Sequence, residues 1–562
     1  MLSRGRKAIL ALTNQMHKAN KDQNKIILKD KNGNVVANFD TILEYAEEVK
    51  YPSGTDQFLR ISIIKSTGVK KDVTVSLKEL NKIDWSAVDI QCVVNDQNRH
   101  ARSFIAYHIA QQLNDVPIHY KIGLEQLGIS KINNIAVFAA GDHLIVPSNN
   151  QNLAENITIR PSGPKLDIDK NYSIKEVSVE MKALMELSQE IGRIVVAHAI
   201  SAIIRSAFKE SGFTPSTILY IVGESGMFKT QYVTNLVQLY DRNKEIKPNT
   251  RLNSSLSYVE DTLSRFGENT AVIDDLHTGE SSNVKKNNER NLEELIRRVS
   301  DNTGRGHMCG NKSVQNNFRG NVIVIGEYIS GKGSTLPRAL VAKITQRPDG
   351  IKLDQYQRSK KLVVSTFYYY FIQWYVDNYA YICTLIDDQL TKHRYRKYSD
   401  TIHARLIDTA FYLIASYNIL LCFFKEHGVM SDDEITTERN SFSAQVNRLI
   451  YEQQKLYGPY NTDFLAIIRN AYQSGKFLIA KSDKLFDESR YDCVIHYNCL
   501  CIYSKRFDKV MSDLIPNYDH RRLIRTLKEK NALKLHESDG KNDIKINSLK
   551  KRFFAIYLNM LK

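Results

Sequence analysis

Residues 216–233 have the sequence STILYIVGESGMFKTQYV, in which an apolar run leads into a short loop of small residues. The apolar run lies between Pro215 and Gly223, which predicts a buried strand of a parallel sheet. A helical stretch, TQYVTNLVQLYDRN, follows the loop. Two further apolar runs, NTAVIDD at 269–275 and NVIVIGE at 321–327, are separated from it by helical sequence. Strands that alternate with helices predict an α/β sheet of the P-loop class.

The loop itself, GESGMFKT, has the composition of a phosphate-binding loop. Small residues let backbone N–H groups surround phosphates, a lysine reaches the β- and γ-phosphates, and a hydroxyl ligates Mg²⁺. Phe228 departs from the common pattern, which has glycine before the lysine, and an ordinary strand–helix turn is the alternative interpretation. The predicted ATP-binding residues are Gly223, Glu224, Ser225, Gly226, Met227, Phe228, Lys229 and Thr230.

Two acids end the second apolar run, AVIDD. We predict that Asp274, together with Thr230, holds Mg²⁺, and that Asp275 polarises the attacking water. Glutamate is the usual residue for the second task. A strand that simply ends in solvated acids is the alternative.

The third run ends at Glu327, where AAA+ proteins carry a polar residue that senses the γ-phosphate. Asn or Thr is usual there, so Glu327 is predicted either to contact the nucleotide or to cap a helix or form an ion pair. Arg338 follows in SGKGSTLPRALV. Oligomeric AAA+ enzymes place an arginine finger at this point, which stabilises charge on the phosphoryl group of a neighbouring subunit. A structural salt bridge is the alternative for Arg338.

Residues 304–320, GRGHMCGNKSVQNNFRG, predict a hairpin that turns near Gly310-Asn311. Ring helicases carry a hairpin here that projects into the pore and grips the nucleic-acid backbone. Lys312, His307 and Arg305 are the candidate DNA contacts. The alternative is a basic surface loop.

The charge balance points to a polyanionic partner. The chain of 562 residues has a net charge of +16 and a pI near 9.2. Residues 505–562 carry 15 Lys and Arg against 7 Asp and Glu. Clustered basic residues favour nucleic acid ahead of a membrane surface, with a solvated basic tail as the alternative.

The cysteines and the apolar segments predict a cytoplasmic protein without a membrane span. Seven cysteines, mostly scattered, fit a reducing compartment better than a disulfide framework. The most membrane-like stretch, 362–386, contains Gln373, Asp377 and Asn378, so we expect a buried helix. YDCVIHYNCLCIY at 491–503 alternates like one strand, which argues against a zinc cluster around its cysteines.

We predict an α/β P-loop AAA+ core with a mixed α+β domain before it and a winged-helix domain after it. Hairpins are expected around Asn32-Gly33, around the turn at 68–71 and at 132–147. The predicted regions are a basic tail at 1–24, an N-terminal α+β region at 25–165, an ATPase domain at 170–355, a helical region at 356–485 and a winged-helix-like DNA-binding domain at 486–562.

The motifs together resemble the ATPase family catalogued as domain of unknown function 927, which includes the MCM-like helicases of staphylococcal chromosome cassettes and pathogenicity islands. The resemblance rests on ILYIVGESGMFKT, VIDDLH, NTGRGH and VIVIGEYISGKGSTLPRAL, and it covers roughly residues 25–350 and 490–562. Phe before Lys is an accepted variant in that family. The chain departs from it at Gly123-Leu124, where Gly-Trp is usual.

The resemblance implies a replication initiator or helicase of a mobile genetic element that works as a homo-hexamer, with a separate primase or polymerase. Single-stranded DNA would lie in the pore. The C-terminal domain would bind duplex origin DNA through Arg521, Arg522, Arg525 and Lys528. The main alternative is an ATP-dependent DNA-binding switch or helicase loader that does not translocate. A scaffold with a degenerate P-loop and a primase–helicase fusion are further alternatives that the paired motifs and the short N-terminal region disfavour.

Overall fold

The computed structural model describes residues 20–22, 25–29, 32–65, 68–95, 100–160, 164–215, 217–276, 282–301, 306–309, 312–315, 319–329, 335–394, 402–457, 464–515, 518, 520–536, 540–546 and 548–561. The chain forms two compact units, Met1–Leu166 and Asp167–Lys562.

The first unit is built mainly from antiparallel strands. Its elements are β1 Asn20–Asp22, β2 Lys25–Lys29, β3 Val35–Ala37, β4 Phe39–Tyr51, β5 Gly54–Lys65, β6 Lys70–Ser76, α1 Trp85–Val88, α2 Ala101–Gln111, β7 Ile118–Leu124, β8 Gly128–Ile132, β9 Ile135–Ala140, β10 His143–Ile145 and β11 Ile157–Ile159, with 3-10 helices at Leu77–Lys82, Gln112–Asn114 and Ser148–Asn156. In the described residues the strands form sheets of order β11-β7-β4-β5-β6, β1-β2-β3 and β10-β9-β8.

The three predicted hairpins are confirmed as the pairs β2/β3, β5/β6 and β9/β10. Gly33 adopts φ of 81°, which explains why a glycine stands at the first turn. The sequence did not predict β4, a 13-residue strand that pairs with β5 along its whole length. Its three glutamates obscure the strand pattern, because the pairing partner rather than local propensity stabilises it.

The first part of the second unit is a parallel sheet with helices on its faces. Its elements are α3 Ile174–Glu186, α4 Gly192–Ile203, α5 Arg205–Glu210, β12 Ile218–Val222, α6 Lys229–Val237, β13 Thr250–Arg251, α7 Leu256–Ser264, β14 Thr270–Leu276, α8 Ser282–Ser300, β15 Gly306–Cys309, β16 Lys312–Gln315, β17 Asn321–Gly326, a 3-10 turn at Leu336–Arg338, β18 Ala339–Lys343 and α9 Gly350–Gln357.

The sheet order among the described strands is β13-β14-β17-β12-β18, and every pairing is parallel. The three apolar runs predicted as buried parallel strands are therefore confirmed as β12, β14 and β17. The apolar side chains described for these strands are almost completely buried, as expected for a sheet covered on both faces. Because the strands are parallel, their carboxyl ends and the loops that follow them meet at one edge of the sheet.

The remainder of the second unit is helical and then mixed. Its elements are α10 Val363–Asp377, α11 Tyr379–Arg394, α12 Ala404–Glu426, α13 Asp432–Tyr457, α14 Phe464–Gln473, β19 Ile479–Ala480, β20 Cys493–His496, β21 Cys499–Tyr503, α15 Ser504–Leu514, α16 His520–Glu529, β22 Leu533–Lys534, β23 Ile544–Ile546 and β24 Lys551–Tyr557, with 3-10 helices at Asp483–Leu485 and Leu558–Met560. Helices α14, α15 and α16 share an apolar core with β20, β21 and β24.

The prediction of one strand over residues 491–503 is wrong. The segment is a hairpin in which β20 and β21 pair antiparallel, and Tyr497 at the turn has φ of 50°. Alternation of apolar and polar residues looks the same on both sides of a two-residue turn, so the sequence pattern alone did not reveal the reversal.

Two apolar helices pack inside the second unit. The buried helix predicted near 362–386 is confirmed, since α10 buries Phe367, Tyr368 and Phe371. Among the described residues one helix, α12, is long and apolar enough to cross a membrane, and 72% of its most apolar window is buried in the unit.

Candidate nucleotide site

The carboxyl ends of β12, β14 and β17 surround a cavity of about 230 Å³. The parallel register brings together side chains that the sequence separates by about a hundred positions. The lining residues are Ser225, Gly226, Met227, Phe228, Lys229, Thr230, Gln231, Asp274, Ile325, Gly326 and Glu327. Most of the predicted phosphate loop and the predicted metal ligands thus share one site.

Two glycines of the loop are required by its geometry. A Cβ on Gly223 would lie 2.7 Å from both the carbonyl oxygen and Cγ2 of Ile344, so any side chain there would force the strands apart. Gly226 has φ of 82°, a conformation that other residues adopt only with strain. The loop therefore passes close to β18 and turns sharply before α6 begins at Lys229.

Phe228 occupies the left-handed region, with φ of 54° and ψ of 21°. This conformation explains why glycine is usual at the position, since a side chain there costs roughly 1–2 kcal/mol. The ring of Phe228 is covered by Arg347, whose guanidinium carbon lies 3.8 Å from the ring centroid. A Cβ on Gly350 would lie 2.8 Å from the same ring. The phenylalanine thus packs the start of α6 against the start of α9, and this packing offsets part of the strain.

Lys229 lies inside the loop with only 8% of its surface exposed. Its Nζ donates a hydrogen bond to the carbonyl oxygen of Glu224 at 2.7 Å. Burial lowers the pKa of Lys229, and the charges of Glu327 and Asp274 oppose that shift. The ammonium group is therefore held at the cavity wall, where a phosphate oxygen would satisfy it better than a single carbonyl does.

Thr230 and Asp274 meet directly. The hydroxyl of Thr230 donates to Oδ2 of Asp274 at 2.9 Å, which joins the start of α6 to the end of β14. A hydroxyl and a carboxylate are the oxygen ligands that Mg²⁺ prefers beside substrate phosphates, so these residues fit the metal that the motif implies.

The pairing of β14 with β17 is irregular between Ile273 and Leu276. Such a bulge changes the direction of the side chains at the end of a strand. Asp275 belongs to β14, but its side chain lies outside the described residues, so its task in orienting water stays a prediction.

Glu327 follows β17 directly and lines the cavity. Its charge acts on Lys229, as the pKa of that residue records. Its predicted position beside the nucleotide phosphates is compatible with this geometry, and its function stays a prediction.

Arg338 ends the 3-10 turn that leads into β18, and the lining of the cavity does not include it. Its Nε lies 3.8 Å from Oδ1 of Asp301, which also lies 3.4 Å from the guanidinium of Arg405. Burial lowers the pKa of Arg338, and the positive charge of Arg405 lowers it further. The ion pair is long and partly exposed, which makes it a weak structural contact. The finger role of Arg338 stays a prediction.

The predicted DNA contacts fall into two groups. The hairpin predicted at 304–320 is confirmed, since β15 and β16 pair antiparallel. Arg305 and the side chains of His307 and Lys312 lie outside the described residues.

In α16, Arg521, Arg525 and Lys528 are exposed. Arg522 instead lies with its guanidinium carbon 5.0 Å from the ring centroid of Phe464. Three of the four predicted contacts on this helix therefore lie on its exposed face, and Arg522 does not.

The residues that support the site from a distance have no motif in the sequence. They are Arg347 over Phe228, Arg405 beside Asp301, and Gln453 on the edge of β18. The one signal in the sequence is Phe228 in the place of the usual glycine. A side chain there has to adopt a strained backbone conformation, so packing partners for its ring are expected elsewhere in the chain.

Comparison with solved structures gives a similarity over nearly the whole chain. A solved structure described as "SCCmec type IV Cch - active helicase" matches with a TM-score of 0.58 and 14% identity, covering 98% of this chain and 99% of that chain. The two proteins share a fold. No protein-family model and no curated protein matches the chain, so the resemblance to the 927 family stays a prediction.

Two further solved structures match more weakly. The C-terminal region of NrS-1 in its apo A form has a TM-score of 0.23 and 12% identity over 75% of this chain and 92% of that chain. A JCV helicase with a bound small molecule has a TM-score of 0.21 and 11% identity over 48% of this chain and 73% of that chain. Similarities of this size do not establish a common fold.

Proposed function

We propose that this chain is an ATP-dependent DNA helicase that replicates a mobile genetic element. The observation that carries the proposal is the contact of Thr230 with Asp274 at 2.9 Å, beside the buried Lys229, at the carboxyl edge of a parallel sheet. This arrangement suits a nucleoside triphosphate with its metal. The fold shared with an active helicase along the full length of both chains favours a helicase over other P-loop enzymes.

ATP binds between two copies of the chain. Lys229 holds the phosphates, Thr230 and Asp274 hold Mg²⁺, and Asp275 orients the attacking water. The bound Mg²⁺ neutralises charge on the phosphates. Arg338 enters from the neighbouring subunit, which agrees with its place outside the cavity of its own chain. A closed ring supplies one such arginine to every site, and we propose a homo-hexamer.

Hydrolysis moves the β15–β16 hairpin along single-stranded DNA, with Lys312, His307 and Arg305 on the backbone phosphates. The region 486–562 acts as a winged-helix-like domain on duplex origin DNA. The order of α15, α16 and the strands β22 to β24 supports that assignment. A separate primase or polymerase completes replication.

The test is strand displacement on forked DNA with ATP. The native chain is compared with Lys229→Ala, Lys312→Ala and the control Lys209→Ala, which removes an exposed lysine from α5. We expect unwinding by the native and control chains, and none by Lys229→Ala. Lys312→Ala should stop unwinding while basal ATP hydrolysis continues.

Hydrolysis without strand release on a fork of either polarity would contradict the helicase and favour the loader or switch. Absence of any ATP hydrolysis would favour a scaffold with a degenerate loop.

A further inference from the structure

A side chain of α13 bonds to the outer edge of β18. β18 is the last strand in the described sheet, so its outward backbone groups have no strand partner. Gln453 from α13 fills that place: its Oε1 accepts from the N–H of Val341 at 2.8 Å, and its Nε2 donates to the carbonyl of Ala339 at 2.7 Å. The side-chain amide thus bonds to β18 as a peptide group of a neighbouring strand would.

The same amide also holds the turn before β18. Nε2 of Gln453 donates to the carbonyl of Leu336 at 3.0 Å. Leu336 begins the 3-10 turn that ends at Arg338. Gln453 is 4% exposed, so water does not replace these contacts.

The turn is fixed from inside as well. Leu336 belongs to the apolar core between the sheet and its helices, and Thr335 and Pro337 are buried. Two sets of contacts therefore hold the backbone at Arg338 in place: the apolar core below it and the Gln453 amide beside it.

The acid beside the side chain of Arg338 is held by the same helical region. Asp301, next to Arg338, also contacts Arg405 in the first turn of α12. Arg405 itself donates to the hydroxyl of Ser300 at 2.6 Å. Helix α13 thus bonds to the backbone on both sides of Arg338, and α12 contacts the acid that lies beside its side chain.

We propose that Gln453 is a positioning residue for Arg338. By joining α13 to both the turn and β18, it fixes where Arg338 projects toward the nucleotide of a neighbouring subunit. This inference rests on the proposed function, in which Arg338 acts on the neighbour. In this arrangement the helical region 356–485 presents the arginine to the neighbouring subunit.

The first test is steady-state ATP hydrolysis by Gln453→Met, which keeps the length of the side chain and loses all three hydrogen bonds. A displacement of about 1 Å costs roughly 100-fold in rate, so we expect kcat to fall by about 10- to 100-fold. KM for ATP should stay within about twofold, because the variant keeps its own phosphate loop. Gln445→Met is the matched control: it lies on the same helix and loses hydrogen bonds to the carbonyls of Gln189 and Glu190 instead.

The second test separates positioning from general damage. Gln453→Met subunits are co-assembled with Lys229→Ala subunits, which lack a working loop and keep an intact Arg338. If Gln453 acts through Arg338, hydrolysis per Gln453→Met subunit rises severalfold in the mixed rings. A variant with a damaged loop of its own gains nothing from such a neighbour.

Arg338→Ala is carried through the same mixing. Rescue of both variants supports the inference. Rescue of Arg338→Ala alone overturns the inference and leaves the proposed function standing, whereas rescue of neither overturns the inference and the proposed finger role of Arg338.

A double variant tests whether Gln453 has any effect besides the one through Arg338. If the only effect of Gln453 runs through Arg338, Arg338→Ala with Gln453→Met hydrolyses ATP at the rate of Arg338→Ala alone. A further loss of rate in the double variant overturns the inference. Gln453→Glu keeps the acceptor for the N–H of Val341 and loses both N–H donors. It is measured alongside Gln453→Met, so that the inference can still be tested if Gln453→Met does not fold.

Discussion

Phe228 explains how the candidate phosphate loop keeps its shape without the usual glycine. The left-handed backbone at this position is strained for any residue with a side chain. The contacts of the ring with Arg347 and Gly350 give back part of that cost, since a cation over an aromatic face contributes about 0.5–1 kcal/mol at exposed sites. A departure from the motif is thus tolerated because of residues that follow β18.

Phe228→Gly should bind ATP about as well as the native chain, because glycine adopts the required backbone freely. Phe228→Val should bind ATP more weakly and melt at a lower temperature, because β-branched residues are the least tolerant of positive φ. Calorimetric titration with ATP and Mg²⁺ and a thermal melt of each variant measure this. Equal affinity and equal melting temperature of the two variants would contradict the assigned conformation.

At the scale of elements, a histidine joins helix α4 to the start of β17, opposite the nucleotide edge. Nε2 of the buried His198 lies 3.2 Å from the carbonyl oxygen of Val322, and Asn321 donates to the carbonyl of His198 at 2.8 Å. Burial lowers the pKa of His198 to about 4 from its ordinary value of 6.5. The neutral imidazole is therefore part of the packing between helix and sheet.

The stability of the second unit should fall as the pH falls from 6.5 toward 4. In that window the unfolded chain binds a proton on His198 and the folded chain does not, so protonation favours unfolding. The full loss in the free energy of unfolding is on the order of 3 kcal/mol, because one unit of pKa corresponds to about 1.36 kcal/mol. Melting temperatures of the native chain and of His198→Gln are compared across this range. A difference between them that does not change with pH would exclude the linkage.

Helix α16 has one buried apolar face and one exposed basic face. Leu523, Ile524 and Leu527 are buried in the core that the helix shares with α14. Arg521, Arg525 and Lys528 are exposed at a spacing that puts them on one side of the helix.

Replacing Arg521, Arg525 and Lys528 together by alanine should weaken duplex binding. It should also lower the slope of log affinity against log salt by about 2.7, since each phosphate contact contributes about 0.9. Arg522→Ala is the matched control, because this guanidinium lies over Phe464. It should change the slope little and lower the stability of the region instead. Binding titrations at several salt concentrations measure both. A larger slope change for Arg522→Ala would reverse the assignment.

For the whole molecule, the division into two units determines where the candidate nucleotide site belongs. The candidate phosphate loop, the predicted metal ligands, Arg347 and the Arg338 turn all lie in Asp167–Lys562. The first unit contributes none of the described residues that line the cavity.

A chain restricted to residues 167–562 should fold and bind ATP with Mg²⁺ at an affinity within about threefold of the full chain, because the site needs only contacts inside that unit. Calorimetric titration of both chains measures this, with Lys229→Ala in the short chain as the control. A short chain that folds by circular dichroism and fails to bind would show that the first unit supports the site.

The sequence by itself determined the strands of the sheet and the residue types at its carboxyl edge. A buried parallel strand needs a continuous apolar run, and a phosphate loop needs small residues, a lysine and a hydroxyl at fixed spacing, so β12, β14, β17 and the loop were predictable. Local hairpins such as β2/β3 were predictable for the same reason, since their turns and pairings lie within a few residues.

Only the tertiary structure decided which distant groups meet. It turned the predicted strand at 491–503 into a hairpin, placed Arg347 over Phe228, paired Arg338 with Asp301 beside Arg405, and set Gln453 against the edge of β18. These contacts join segments far apart in the chain, and the residue types involved are common on any helix surface. Packing selects among such partners through shape and burial, which no local pattern of residues encodes.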